Sequence, residues 1–238
     1  MTILMKIKPQ TIPPSPNRPY VKICGITRVQ DATACVTAGA DAVGCVFYPK
    51  SPRHVNPEQA RTICDALPAG VQSVGVFVNE TGPAIMNTVK KCGLGAVQLH
   101  GQESEQLVRY LKDRGLVVIK TLFIYGRPGL ADALRYDADC FLVESGTGAL
   151  PGGNARQWGW SAAEPFGRTR SFILAGGLSP ANITRAVSDA RPAGVDLSSG
   201  VESAPGLKDP KKIRALMEAV ATIEGCTQLH NPFHRRIV

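Results

Sequence analysis

A thiol, a carboxyl, an imidazole, a guanidinium and two glycine-rich turns stand at or just past the ends of apolar runs in this chain. Cys24 ends the run Tyr20–Cys24 and is followed by Gly25. His100 ends Ala96–His100, and Glu144 ends Cys140–Glu144. Arg53 closes Tyr48-Pro49-Lys50-Ser51-Pro52-Arg53, just past Ala42–Phe47. A thiolate can take a proton and a carboxyl can give one, so Cys24 and Glu144 are candidate general base and acid. Arg53 and His100 are candidate substrate contacts. The turns are Leu174-Ala175-Gly176-Gly177-Leu178-Ser179-Pro180 and Val195-Asp196-Leu197-Ser198-Ser199-Gly200. Glycine lets backbone N–H groups approach an anion, and the next helix adds its positive N-terminal end. Gly176, Gly177, Ser199 and Gly200 are therefore the candidate phosphate contacts. The substrate expected is a small phosphorylated metabolite.

Ordinary packing competes with each assignment. Cysteine is often only a small buried hydrophobe, and Cys45 and Cys140, inside or at the start of a run, are read that way. Side-chain alternation places Lys22 on the face of Cys24, with Lys120 and Asp196 central in their own runs. If these charges point inward they need partners, and Lys22 with Asp196 is the natural pair. A cation below Cys24 would favour its thiolate.

The elements that must position these residues alternate strand then helix, about every 25 residues. Strands are expected at Tyr20–Cys24, Ala42–Phe47, Ser73–Val78, Ala96–His100, Val117–Leu122, Cys140–Glu144, Ser171–Ala175 and Val195–Ser198. Helices are expected at Gln30–Ala38, Pro57–Ala66, Pro83–Lys91, Glu103–Asp113, Pro180–Asp189 and Asp209–Ile223. The sixth helix is the weakest, because a long Gly-rich loop from Ser145 to Gly159 takes its place and reads as a lid. The fold class is α/β, a single-domain (βα)8 TIM barrel over residues 20–224. A disordered Pro-rich leader (1–19) precedes it and a flexible basic tail (225–238) follows. In such barrels the strands' C-terminal ends carry the site.

Composition narrows the partners. The formal net charge is +8. Lys6, Lys8 and Arg18 lie in the leader, and Arg235 and Arg236 in the tail, so little excess remains for a basic face. No nucleic acid is expected, and no membrane, since no apolar run approaches ~18 residues. The seven cysteines are scattered and never spaced C-x-x-C, which argues against zinc or a disulfide framework and for a reducing, cytoplasmic setting. The chain is expected to act as a monomer or homodimer.

From about Tyr20 to Ile223 the chain resembles the phosphoribosylanthranilate isomerase family of tryptophan biosynthesis. The resemblance is carried by Val21-Lys22-Ile23-Cys24-Gly25-Ile26-Thr27, Phe47-Tyr48-Pro49-Lys50-Ser51-Pro52-Arg53 and Val97-Gln98-Leu99-His100-Gly101. It continues in Ala175-Gly176-Gly177-Leu178 with Pro180 and Asn182, and in Asp196-Leu197-Ser198-Ser199-Gly200-Val201-Glu202 followed by Pro205-Gly206 and Lys208-Asp209. It implies an Amadori rearrangement of N-(5-phosphoribosyl)anthranilate that needs no cofactor. It also implies Cys24 as base, the acid at Glu144, and Arg53 on the anthranilate carboxylate. The family usually carries aspartate where this chain has Glu144, and glutamate is longer by one C–C bond, about 1.5 Å. Gly152-Gly153-Asn154-Ala155 and Gly159-Trp160 also depart from the family's lid pattern. Two rivals follow from these departures: a paralogue acting on another aminoaldose phosphate, or a barrel that binds a phosphorylated ligand without turnover.

Overall fold

Segments apolar on both faces must be covered on both, so they pair side by side beneath helices. The computed structural model describes residues 18–147, 157–224 and 232–233. Its strands are β1 (Tyr20–Cys24), β2 (Ala42–Val46), β3 (Gln72–Phe77), β4 (Ala96–Leu99), β5 (Val117–Phe123), β6 (Cys140–Glu144), β7 (Phe172–Ala175) and β8 (Gly194–Leu197). Each pairs in parallel with its successor and β8 closes on β1, which gives the expected (βα)8 barrel.

The outer layer contains α1 (Val29–Thr37), α2 (Pro57–Asp65), α3 (Gly82–Cys92), α4 (Glu105–Lys112), α5 (Glu164–Gly167), α6 (Ile183–Ala190) and α7 (Pro210–Ala221). Local chemistry sets several starts. Asn56 and Gln59 form a reciprocal capping box on α2, while Thr81, Ser104 and Asp209 cap α3, α4 and α7. Two helices start two or more residues later than the sequence pattern predicts. Glu103 is not in α4, because its carboxylate folds back onto the amides of Gly101 and Asn79. Pro180 is not in α6, because Asn182 Oδ1 accepts from Ser179 N and its Nδ2 donates to Gly177 O. After β5 a 3₁₀ turn, Leu130–Arg135, stands where a helix would complete the repeat. Beyond β8 a short hairpin, β9 (Glu202–Ala204) and β10 (Leu207–Lys208), folds near the rim at the strands' C-terminal ends.

Two apolar layers result. One lies between sheet and helices and includes Val21, Ile23, Val97, Leu99, Val118 and Leu122. The other fills the barrel's lower interior with Ala42, Val74, Ala96, Val117, Ile119, Cys140, Leu142, Ile173 and Ala175. Several of these side chains are small, and the space they leave is filled by Phe233. This ring is fully buried among them and meets Tyr20 edge-on, with centroids 6.4 Å apart. Pro232 lies against Gly194, where a Cβ would be 3.5 Å from Pro232 Cγ.

The expectation of a flexible 225–238 tail therefore needs correction at Pro232–Phe233, because an aromatic ring gains more by filling an apolar hole than by staying in water. The leader boundary moves as well. Arg18 is buried, with its guanidinium on Asp41 at 2.8 Å and on the carbonyls of Pro19 and Gly39. Residues 1–17, the rest of the tail and most of the expected lid (148–156) lie outside the described residues.

Candidate active site

Alternation along the strands sends one residue in two into the barrel, and at the upper rim those residues are polar. Lys22 is fully buried, with Nζ 3.0 Å from Asp196 Oδ1, so the pairing expected from the sequence forms across the β1–β8 seam. Cys24, one step up the same face, lies beside that ammonium. Gly44 on β2 makes room for both, since a Cβ there would fall 2.8 Å from Cys24 Sγ and 3.1 Å from Lys22 Nζ. Burial pushes the Cys24 thiol above its ordinary value. Lys22 opposes this most strongly, Asp196 adds to the rise, and Lys208 opposes it more weakly. Burial also presses Lys22 toward its neutral form, but Asp196 and, behind it, Cys24 together outweigh this and hold the ammonium charged.

Glu144, at the end of β6, is buried, with Oε1 3.2 Å from His100 Nε2. The other ring nitrogen of His100 lies 2.7 Å from Gln98 Nε2 and 3.1 Å from Thr121 Oγ1. Lys120, in contrast, faces out of the barrel with Val118 and Leu122. Its Nζ binds Glu103 at 2.8 Å and the Gly101 carbonyl at 2.8 Å. That buried ion pair ties the β4–α4 loop to β5 and so fixes the backbone next to His100.

Arg53, assigned from the sequence to a substrate carboxylate, has part of its guanidinium engaged within the protein. Its fork is bidentate on Glu202, with Nε to Oε1 at 2.9 Å and Nη2 to Oε2 at 2.7 Å. Lys208 Nζ reaches the same carboxylate at 2.7 Å and also the Ser198 carbonyl. Burial alone would raise the Glu202 carboxyl, but Arg53 and Lys208 together hold it below the usual range. Gly25 (φ +75°) admits this cluster next to Cys24, since a side chain there would strike Arg53 Cδ and Ser198 Oγ. Among the described residues Arg53 Nη1 makes no hydrogen bond, so one edge of the guanidinium stays available beside Glu202.

The two glycine turns meet at the rim between β7 and β8. Gly176 and Gly177 have φ of +90° and +69°, the left-handed region that favours glycine. A Cβ on Gly176 would meet the Trp158 ring and approach Glu144 Cβ at 3.6 Å, and one on Gly200 would strike the Leu178 carbonyl. Among the described residues, the N–H groups of Gly176, Gly177, Ser199 and Gly200 donate to no protein acceptor. Trp158 and Trp160 brace this turn by donating to the carbonyls of Ala175 and Gly176. No helix among the described residues is long and apolar enough to cross a membrane.

A family model described as N-(5'phosphoribosyl)anthranilate (PRA) isomerase matches residues 21–219. The chain belongs to the N-(5'-phosphoribosyl)anthranilate isomerase family. A relative of that name from Desulfatibacillum aliphaticivorans is 45% identical over 198 residues, 83% of this chain and 91% of the relative. The Thermotoga maritima relative is 43% identical over 199 residues, 83% of this chain and 96% of the relative. The Thermotoga maritima phosphoribosyl anthranilate isomerase crystal structure matches with a TM-score of 0.79 at 41% identity, covering 86% of this chain and all of that one. A phosphoribosyl anthranilate isomerase in complex with reduced 1-(o-carboxyphenylamino)-1-deoxyribulose 5-phosphate matches with a TM-score of 0.76 at 40% identity, covering 86% and 100%.

Within this isomerase fold, sequence reasoning placed Cys24, His100, Glu144 and both glycine turns at the rim, where they stand. It gave no role of their own to Gln98, Thr121, Glu202 and Lys208. Gln98 and Thr121 were detectable only as polar residues at inward positions of buried strands. Glu202 and Lys208 open and close the β9–β10 hairpin, where no strand-end rule applies.

Proposed function

We propose that this isomerase converts N-(5'-phosphoribosyl)anthranilate to 1-(2-carboxyphenylamino)-1-deoxyribulose 5-phosphate with Glu144 as general acid and Cys24 as general base. Glu144 gives a proton to the ring oxygen as the C1–O bond breaks and the nitrogen lone pair forms a protonated imine. Cys24, as thiolate, takes the C2 proton, and the C–H electrons form the enolamine. C1 then gains a proton while the enol hydroxyl loses one, so the sum is an isomerisation. The unspent amides of Gly176, Gly177, Ser199 and Gly200 hold the phosphate by backbone dipoles. Arg53 meets the anthranilate carboxylate through its open edge. His100 lines the ring pocket beside Glu144. Free thiols at Cys24, Cys35, Cys45, Cys64, Cys92 and Cys140 suit a reducing cytoplasm.

The observation that carries this reading is the placement of Cys24 directly above the buried Lys22–Asp196 pair, which sets a fixed cation beside the thiol and opposes the rise that burial imposes on it. The test is turnover of N-(5'-phosphoribosyl)anthranilate by the purified chain and by Cys24→Ser. Serine is nearly isosteric but far less acidic, so activity should fall ~100-fold or more while the fold persists. A variant that keeps above about a tenth of the rate removes Cys24 as the base.

A further inference from the structure

The Gln98 amide shows a mismatch that points to how the acid is managed. Gln98 on β4 and His100 just past its end lie two residues apart and both face the barrel interior. Gln98 is 1% exposed, so its polar atoms have no bulk water. Its Nε2 lies 2.7 Å from His100 Nδ1, while its Oε1 is buried with no partner among the described residues. An orphaned buried carbonyl is costly, so its persistence calls for an explanation.

An amide N–H can donate only to a ring nitrogen that holds a lone pair. With Nδ1 accepting, the proton of a neutral imidazole sits on Nε2 and is donated to Glu144 Oε1 at 3.2 Å. That arrangement suits a charged Glu144, an acid that has already given up its proton. A protonated Glu144 needs the opposite pattern. Its O–H must face a lone pair on Nε2, which puts the ring proton on Nδ1, where an amide N–H would collide with it. Turning the Gln98 amide over places Oε1 on Nδ1–H and gives the orphaned oxygen its partner. The imidazolium–carboxylate form of the same protonation state has the same need. Thr121 Oγ1, 3.1 Å from Nδ1, both donates and accepts, so it serves either state.

We propose that Gln98 and His100 are positioning residues that hold one proton with Glu144, and that the Gln98 amide turns over as that proton leaves for the substrate. The proposal rests on the reading of Glu144 as the acid. The proton passes to the ring oxygen and is recovered from the enol hydroxyl as the ketone forms, so the three side chains return to their starting state. The glutamate's length is part of the device. An aspartate at 144 would withdraw the carboxyl by about one C–C bond, ~1.5 Å, which puts it beyond hydrogen-bond reach of His100. Among the described residues Asp196 on β8, held by Lys22 on β1, is a charge that acts on both members of the pair.

The test uses the full chain with ¹⁵N-labelled histidine, together with steady-state kinetics of Gln98→Leu, His100→Asn and Glu144→Gln. In the wild type at alkaline pH, imidazole ¹⁵N shifts should show His100 protonated on Nε2, with Nδ1 gaining a proton on acidification. Gln98→Leu should lose that preference. Both Gln98→Leu and His100→Asn should lower kcat ~10-fold or more. Gln98→Leu, at a side chain assigned to no substrate group, should keep KM within about twofold, because the acid is disturbed and the substrate contacts are not. If Glu144→Gln is inactive while both neighbours keep wild-type kcat, the shared proton is refuted and the acid reading stands. If Glu144→Gln is itself active, the acid reading falls. Should a variant fail to fold, the wild-type spectrum decides alone: His100 protonated on Nδ1 at every pH overturns the proposal.

Discussion

Phe233→Ala should destabilise this barrel without touching its chemistry. The ring is fully buried in the lower interior against Ala42, Ala96, Cys140, Ala175 and their neighbours, and it meets Tyr20 edge-on. Burying about 200 Å² of aromatic surface is worth ~5 kcal/mol. A phenylalanine on a rigid core element would cost ~3–5 kcal/mol on truncation to alanine. Phe233, however, belongs to a tail, and ordering a residue and its side chain costs ~1–2 kcal/mol each. Fixing Pro232 and Phe233 therefore offsets roughly half of the gain. Pro232 and Phe233 can also leave the core when the ring is lost, so the loss is capped at their net docking free energy, ~1–3 kcal/mol. For a chain of this size that lowers Tm by about 2–12 °C. A chain ending at Glu224 should melt with Phe233→Ala, and combining the Phe233 change with loss of residues 234–238 should add little. The assay is calorimetry of the three proteins beside the full chain, with kcat/KM measured alongside. Phe233 lies at the strands' N-terminal ends, so kcat/KM at 25 °C should hold within about twofold. A chain ending at Glu224 that melts with the full-length protein would refute the reasoning, as would an equal loss of kcat/KM.

Lys22→Met removes the strongest opposition to the raised Cys24 thiol, so the thiolate should form only at still higher pH. The rising alkaline limb of kcat/KM should move upward, and an unmoved limb would separate Lys22 from the thiol. Buried Asp196 then loses its partner, so Tm should fall as well. Gly177→Asp strains a φ of +69° and adds negative charge at the unspent amides, so KM should rise ~10-fold or more; an unchanged KM would move the phosphate elsewhere. Glu202 is depressed in the folded state, so its stabilising contribution is present above the usual carboxyl value of 4.5 and is lost as pH falls through the depressed one. Glu202→Gln should flatten the acid side of the Tm-versus-pH curve, and an unchanged slope would show that Arg53 and Lys208 do not hold this carboxylate.

The barrel was legible in the chain because doubly buried strands must be apolar throughout and must stop at turns. Those local rules located all eight strands and, from their ends, Cys24, His100, Glu144 and the glycine turns. Period-two alternation even matched Lys22 to Asp196, because closure makes the first and last strands neighbours. Closure could not say which lysine faces which layer, and Lys120 turned outward to Glu103. Nor could local pattern show that Arg53 spends its fork on Glu202, 149 residues away. The partnership of Gln98, His100, Thr121 and Glu144 depends on three strands meeting at one height, which is set by barrel register and not by any one strand. Phe233 was hidden for the same reason. A phenylalanine in a basic, Pro-containing tail carries no periodicity, and only the assembled barrel creates the hole it fills. Strand, turn and rim position follow from short-range periodicity and backbone sterics. Which buried charge meets which partner, and what closes the barrel floor, depends on where distant segments are brought to one point in space.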